Sequence, residues 1–150
     1  MIDLQFDLLA HHPNLRVRVN SEEKEVWDPV RKIWTQLNHE EFVRQLLIQY
    51  LIEELNVNRG RISVEKGINI DGVFRRYDLV VFNKEVKPVL LIECKSMQVP
   101  ITQSTFDQIL HYNMNLNVPH LVVTNGVHSF CCTIDREGEK LVFENKLPVL

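Results

Sequence analysis

The spacing of apolar residues predicts two helices in this chain. The first covers 39–55, with Asn38 as its N-cap and two acids in its first turn. The second covers 103–117 and ends before Pro119. Because an amphipathic helix buries one face, each should pack on a neighbouring layer. The apolar positions that set the first helical pattern are Phe42, Val43, Leu46, Leu47, Tyr50, Leu51 and Leu55.

Apolar runs bounded by turn residues predict six strands, over 61–70, 72–82, 86–95, 120–126, 129–134 and 140–145. The runs LVVF (79–82) and VLLI (89–92) are apolar at consecutive positions, which indicates strands covered on both faces. A strand, a helix and a strand follow one another across 89–126, which is the order of a right-handed crossover unit. The predicted fold is therefore α/β (α+β), with a central mixed sheet flanked by helices.

The first part of the chain has a weaker pattern. Residues 15–19 (LRVRV) alternate like a strand, and residues 24–34 mix short apolar stretches with a proline. We interpret residues 1–38 as an arm or small hairpin that packs Trp27 and Trp34 on a main domain of residues 39–150.

The strands 72–82 and 86–95 form a predicted hairpin whose register brings two acids together. With the turn centred between residues 85 and 86, Phe82 faces Val89 and Asp78 faces Glu93. Side chains alternate along a strand, so Glu93 and Lys95 share one face while Cys94 points to the other.

Two facing carboxylates repel each other, and Mg²⁺ is the usual relief, since it needs only one or two carboxylates together with water. On that reasoning, replacement of Asp78 by asparagine should leave the chain as stable or more stable. Lys95 could then polarise a water or a phosphate oxygen, as phosphodiester hydrolysis requires. The alternative is structural, because acids and lysines also end strands where the chain reaches water. Gln108 and Tyr112 lie four residues apart on the second helix and so share one of its faces. This pair has two interpretations: a role at a functional site, or a role in packing alone.

Composition and charge exclude several classes of protein. The net charge is −3 over 150 residues, so any nucleic-acid contact must depend on a local basic patch. The sequence has neither of the glycine-rich phosphate-binding patterns, and we expect no ATP site. We also expect no membrane span and no disulfide among the three cysteines, which together favour a cytoplasmic protein.

Seven stretches of the chain together form a recognisable set: DPVRK (28–32), EEFVRQ (40–45), VEKGI (64–68), RRYDLVVF (75–82), LLIECK (90–95), FDQILHYN (106–113) and VVTNG (122–126). They resemble the N-terminal nuclease domain of type I restriction enzyme R subunits, in the PD-(D/E)XK superfamily. The similarity is to small stand-alone members of that family and covers roughly residues 25 to 145. The helicase motor of the R subunit is absent from this sequence, so ATP-driven translocation is not implied.

The resemblance implies roles for particular residues. Asp78 and Glu93 match the metal-binding acids, and Lys95 matches the catalytic lysine. Gln108 and Tyr112 match a Q-x-x-x-Y element of related nucleases. The backbone carbonyl of Cys94 and one acid at the start of the first helix would complete the ligands for Mg²⁺, which Mn²⁺ could replace. For that acid we prefer Glu41, because Glu40 aligns with the apolar face of the helix.

Two functions remain open at this stage. The first is a Mg²⁺-dependent nuclease acting on DNA, with Arg75, Arg76 or Lys87 on neighbouring phosphates. The second is a catalytically silent nuclease-like fold that binds nucleic acid or protein, with a homodimer or a protein partner also possible. The set of Asp78, Glu93 and Lys95 favours the first, since a pure binding module has no need of it.

Overall fold

The computed structural model describes residues 1–65, 67–70, 72–113, 117–135, 137 and 139–150. The side chains at 68, 70, 73, 75 and 110–113 lie outside that description.

Residues 1–38 contain a small antiparallel sheet. A 3₁₀ segment, Leu8–Asn14, leads into three strands in the order β1, β2, β3, which are Val17–Asn20, Glu23–Asp28 and Ile33–Gln36. Val26 and Asp28 are fully buried and occupy the inward face of β2. Because side chains alternate along a strand, Trp27 must face outward. It meets Trp34 of β3 edge to face, at 5.6 Å between ring centroids.

The first predicted helix is confirmed. Helix α1 covers His39–Gln49, and the side chain of Asn38 accepts the backbone N–H of Glu41 at 2.8 Å as its N-cap. The chain continues through a wider, π-helical turn, Tyr50–Glu54, in which the N–H of Leu55 donates to the carbonyl of Tyr50. A short 3₁₀ turn, Arg59–Arg61, then leads to the main sheet.

The main sheet has six strands and is mixed. The strand order is β11-β10-β9-β8-β7-β4, and only β8 and β9 are parallel. Helix α2, Gln103–Asn113, makes the crossover between these two strands, as predicted. The strands are β4 (Ile62–Val64), β7 (Leu79–Phe82), β8 (Pro88–Cys94), β9 (His120–Thr124), β10 (Ser129–Asp135) and β11 (Lys140–Glu144).

The predicted strands over 61–70 and 72–82 are each divided. A separate two-stranded hairpin, β5 (Gly67–Ile70) and β6 (Val73–Arg76), stands between β4 and β7. Glu65 ends β4 because its backbone is left-handed, with φ +52°. The interruption leaves Asp78 immediately before β7, where its carbonyl accepts the N–H of Glu65 at 3.0 Å.

The hairpin of β7 and β8 keeps the predicted register nearest to the acids. Val80 lies opposite Leu91 and Leu79 opposite Ile92. The prediction is wrong at Phe82, which pairs with Pro88 because the register shifts by one residue at a bulge after Val81.

Both faces of the main sheet are covered, as the apolar runs predicted. One apolar cluster joins α1 to Leu79, Val81 and Ile92, and the other joins Phe106 of α2 to Val80 and Leu91. The adjacent residues Cys131 and Cys132 belong to different clusters and are both fully buried. The three cysteines are unbridged.

Candidate active site

The acids predicted from the sequence meet at the end of two central strands. Asp78 precedes β7, Glu93 is the penultimate residue of β8, and Lys95 follows β8 directly. One carboxylate oxygen of Asp78, Oδ2, accepts the backbone N–H of Cys94 at 2.7 Å, which ties the ends of the two strands together. The backbone N–H of Lys95 donates to the carbonyl of Thr124 at 2.8 Å, so β9 supports the same corner.

Glu93 is the acid that holds a proton in this pair. Burial raises the pKa of Glu93 to about 8, and the negative charge of Asp78 and a hydrogen bond with it act in the same direction. The charge of Lys95 opposes the shift only partly. At neutral pH the carboxyl of Glu93 is therefore favoured in its protonated form.

Arg44 and the backbone of Cys94 occupy the two carboxylate oxygens of Asp78. The guanidinium of Arg44 donates to Oδ1 of Asp78 at 3.1 Å, while the N–H of Cys94 serves the other oxygen. Both contacts fix the orientation of that carboxylate. The sequence-based expectation for Asp78→Asn overlooked this cation, because removal of the charge would leave buried Arg44 with one partner fewer.

A wider ion network joins the N-terminal sheet to this corner. Arg31 contacts Asp28 at 2.8 Å and Glu41 at 2.7 Å. Glu41 then contacts Arg44 at 2.8 Å, and Arg44 reaches Asp78. Glu65 closes the network, with contacts of 3.2 Å to Arg31 and 3.1 Å to Arg44. Since Asp28 and Arg44 are at most 4% exposed, these are largely desolvated pairs in which each charge depends on its neighbours.

The two acids at the start of α1, Glu40 and Glu41, differ in their contacts and exposure. Glu41 is 4% exposed, and both of its oxygens are bonded to arginines. Burial and the negative charge of Asp78 raise the pKa of Glu40, whereas Arg44 and Lys95 oppose the shift. Glu40 is thus in the electrostatic field of the acid pair, with a half-exposed side chain. Arg44, three residues after Glu41, was the signal in the sequence that Glu41 would be paired.

A polar concavity of about 540 Å³ lies beside these residues. It reaches from β3, through the start of α1, to Ser96 just beyond Lys95. Glu40, Arg44 and Glu65 all line it, so a bound molecule there would adjoin the acids.

Cys94 contributes its backbone and not its thiol. Burial, followed by the negative charge of Asp78, raises the pKa of the Cys94 thiol well above its usual range. A thiol that stays protonated is a poor nucleophile and a poor metal ligand. The predicted role of the Cys94 carbonyl as a ligand stays a prediction.

The remaining predicted residues differ in where they lie. Gln108 is exposed on α2, and the side chains of Tyr112 and Arg75 lie outside the described residues. Arg76 is exposed, and its Nε donates to the carbonyl of Glu65 at 2.8 Å, so it anchors the β5–β6 hairpin near the site. Lys87 precedes β8 at the end away from Glu93, roughly 20 Å along the strand. The structure therefore does not bring Lys87 to the site, because β8 runs its whole length between them.

Within the described part of the chain, no group of three or more His, Cys, Asp or Glu side chains is arranged to hold a metal ion. The donors at the corner nevertheless suit a hard divalent cation. Asp78, Glu93 and Glu40 offer only oxygens, and Mg²⁺ needs one or two protein carboxylates with water in its other positions. The proton on Glu93 marks where a positive charge is electrostatically favoured.

A mixed sheet with helices on its faces and acids at the ends of adjacent strands is compatible with a nuclease-like α+β fold. Residues 39–148 match the family described as the N terminus of the type I restriction enzyme R protein, and the chain belongs to that family. This membership supports a role related to restriction nucleases. No match was found among curated proteins. No helix among the described residues is long and apolar enough to cross a membrane.

Proposed function

We propose that the chain is a Mg²⁺-dependent nuclease of the PD-(D/E)XK type that hydrolyses phosphodiester bonds in DNA. The observation that carries the proposal is the meeting of Asp78 and Glu93 at the ends of two adjacent central strands, where Oδ2 of Asp78 accepts the N–H of Cys94 at 2.7 Å and Lys95 follows directly. Family membership supports the same assignment. A structural pair of acids has no reason to be held beside Lys95 and a concavity, whereas a site for a cation and a phosphate has.

In this proposal Asp78, Glu93 and Glu40 hold the divalent ion, and the Cys94 carbonyl is a further candidate ligand. The ion would neutralise the scissile phosphate and lower the pKa of water, with Mn²⁺ able to replace Mg²⁺. Glu93 must release its proton before it can act as an ionised ligand, so metal affinity should rise with pH up to about 8.

The other residues position the reacting groups. Lys95 follows Glu93 by two residues on the same strand face, so its ammonium can orient the attacking water and stabilise negative charge on the phosphate. Arg44, on α1, holds the carboxylate of Asp78 in position through the contact of 3.1 Å. Gln108, Tyr112, Arg75 and Arg76 remain candidates for contacts with the substrate strand.

A catalytically silent binding module is the second candidate, and one observation favours it. Arg44 already neutralises Asp78 without any metal ion. If Asp78 serves only to form that ion pair, the acids at this corner are structural. The concavity would then bind a ligand without cleaving it.

Cleavage of plasmid and linear DNA by the purified chain tests the proposal. We expect products with Mg²⁺ or Mn²⁺ and none with EDTA. Lys95→Ala should reduce cleavage by about 100-fold or more, because it removes charge stabilisation at the phosphate. It should keep the thermal stabilisation by metal, since the ammonium is not a ligand.

Lys140→Ala, which removes an exposed lysine from the edge strand β11, is the matched control and should cleave like the wild type. Wild-type protein that binds DNA without cutting it under any metal condition would favour the silent module.

A further inference from the structure

The outward face of the N-terminal sheet combines arginines with both tryptophans of the chain. We call Arg16, Arg18, Trp27 and Trp34 the Arg–Trp face. The guanidinium carbon of Arg16 lies 5.4 Å from the centroid of each tryptophan ring, and that of Arg18 lies 4.2 Å from Trp34. This face lies outside the residues matched by the family, 39–148, so family membership assigns it no role.

The arginines on this face are not equally neutralised. Arg18 is paired with Glu25 at 2.9 Å. Among the described residues, no carboxylate is paired with Arg16, which is exposed. A guanidinium stacked on an aromatic ring keeps its N–H donors at its edges, where a phosphate can reach them.

Beside Trp27 the same surface forms a concavity of about 420 Å³ with a local positive charge. Arg16, Lys32 and Arg59 converge on it from three separate segments, and Glu53 is the one acid among the described residues of its lining. A cationic concavity on a chain with a net charge of −3 is complementary to a polyanion.

The Arg–Trp face is continuous with the candidate active site. Trp34 and Gln36 are two residues apart on β3, which places their side chains on one face about 7 Å apart. Gln36 and its neighbour Thr35 line the larger concavity together with Glu40. An extended strand lying along β3 would therefore pass from the tryptophans to the acids.

We propose that the N-terminal sheet is a docking surface for single-stranded DNA that leads into the candidate active site. Bases stack on Trp27 and Trp34, while Arg16, Arg18, Lys32 and Arg59 contact the phosphates. Single strands are favoured over duplex because only unpaired bases offer their faces for stacking on aromatic rings. The identity of the bound strand as substrate rests on the proposed function, whereas the binding itself does not.

Tryptophan fluorescence measures this binding directly, because the chain has only two tryptophans and both lie on the Arg–Trp face. The titration is done in EDTA, so that no cleavage occurs. An oligothymidylate of about 20 nucleotides should quench the fluorescence and bind at least about tenfold more tightly than a duplex of the same length. A poly-glutamate peptide of similar charge should bind no better than the duplex.

Two variants test the surface residues. Arg16→Gln/Arg18→Gln should weaken binding of the oligonucleotide about tenfold and reduce the slope of log affinity against log salt by about 1.4. Trp34→Leu should weaken binding about tenfold with the salt slope unchanged, because it removes stacking and not charge. Lys84→Gln, at an exposed turn between β7 and β8, is the control for the loss of a surface positive charge and should bind like the wild type. Circular dichroism and thermal melting confirm that each variant is folded.

Equal weakening by Lys84→Gln would overturn the proposal, as would equal affinity for duplex or poly-glutamate. Absence of quenching in a wild-type protein that still cleaves DNA would overturn the docking surface and leave the nuclease intact. Quenching that follows the predicted order, in a protein that never cleaves, would support the docking surface and reject the nuclease.

Discussion

Replacement of Glu93 by glutamine should remove a large part of the pH dependence of stability. The folded chain keeps the proton on this side chain up to about pH 8, whereas the unfolded chain loses it near 4.5. Between those two pH values the unfolded state binds fewer protons, so the free energy of unfolding falls as the pH rises. Below pH 4.5 the contribution is fully present, and above about 8 it is lost.

The size of the effect follows from the shift. Each pH unit in that window lowers the free energy of unfolding by up to about 1.4 kcal/mol. A rise from about pH 5.5 to about 8 should therefore lower the free energy of unfolding of the wild type by on the order of 3 kcal/mol. Glutamine resembles the protonated acid, since its amide can donate to Asp78, and it has no proton to lose. Glu93→Gln should therefore match the wild type near pH 5 and exceed its stability near pH 8.

Urea denaturation in EDTA, repeated across this pH range, measures the difference. Glu85→Gln is the control, since it makes the same chemical change at an exposed turn. It should shift the plot of the free energy of unfolding against pH without changing the slope of that plot. Parallel curves for the wild type and Glu93→Gln would refute the raised pKa of Glu93 and, with it, the electrostatic argument for a cation site.

Three further predictions concern the same corner. Mg²⁺ should raise the melting temperature more at pH 8 than at pH 6. Its binding should release up to about one proton per ion, and calorimetry in buffers of different ionisation enthalpy measures that release. An uptake of protons on binding would contradict the prediction. Asp78→Asn should destabilise the metal-free chain in urea denaturation, because Arg44 loses its contact of 3.1 Å. The same variant should abolish the rise in melting temperature caused by Mg²⁺. Unchanged stability would show that the ion pair contributes nothing. Arg44→Met should cost about 3 to 5 kcal/mol in the same assay, because buried Glu41 and Asp78 each lose a cation; a loss below about 1 kcal/mol would contradict the network.

The strands nearest to the acids could be predicted because the apolar pattern there is unambiguous. Both strands are apolar at consecutive positions, so the pattern predicted the strands, and the register came from centring the turn between residues 85 and 86. With that register Val80 faces Leu91 and Leu79 faces Ile92, as observed, and Asp78 falls beside Glu93. The pattern weakens toward the turn, and there the bulge after Val81 was not foreseen.

Other features depend on contacts that a linear pattern does not contain. The left-handed backbone of Glu65 divides the predicted strand 61–70, and its side chain is bonded to Arg31 and Arg44 from distant segments. The choice between Glu40 and Glu41 depended on Arg31, which reaches α1 from the turn after β2. Helical spacing alone favoured the acid that the arginines neutralise.

The ion network from Asp28 to Asp78 limits which residues can be removed from the N-terminal part of this protein. A chain trimmed to residues 39–148, the segment that the family shares, would lose Asp28 and Arg31 together. Glu41 would keep one of its two cations, and the amide of Gln45 would lose the Asp28 oxygen that it reaches at 2.9 Å. The segment that defines the family is thus not a unit that can be excised intact, because its buried charges are completed by the 38 residues that precede it.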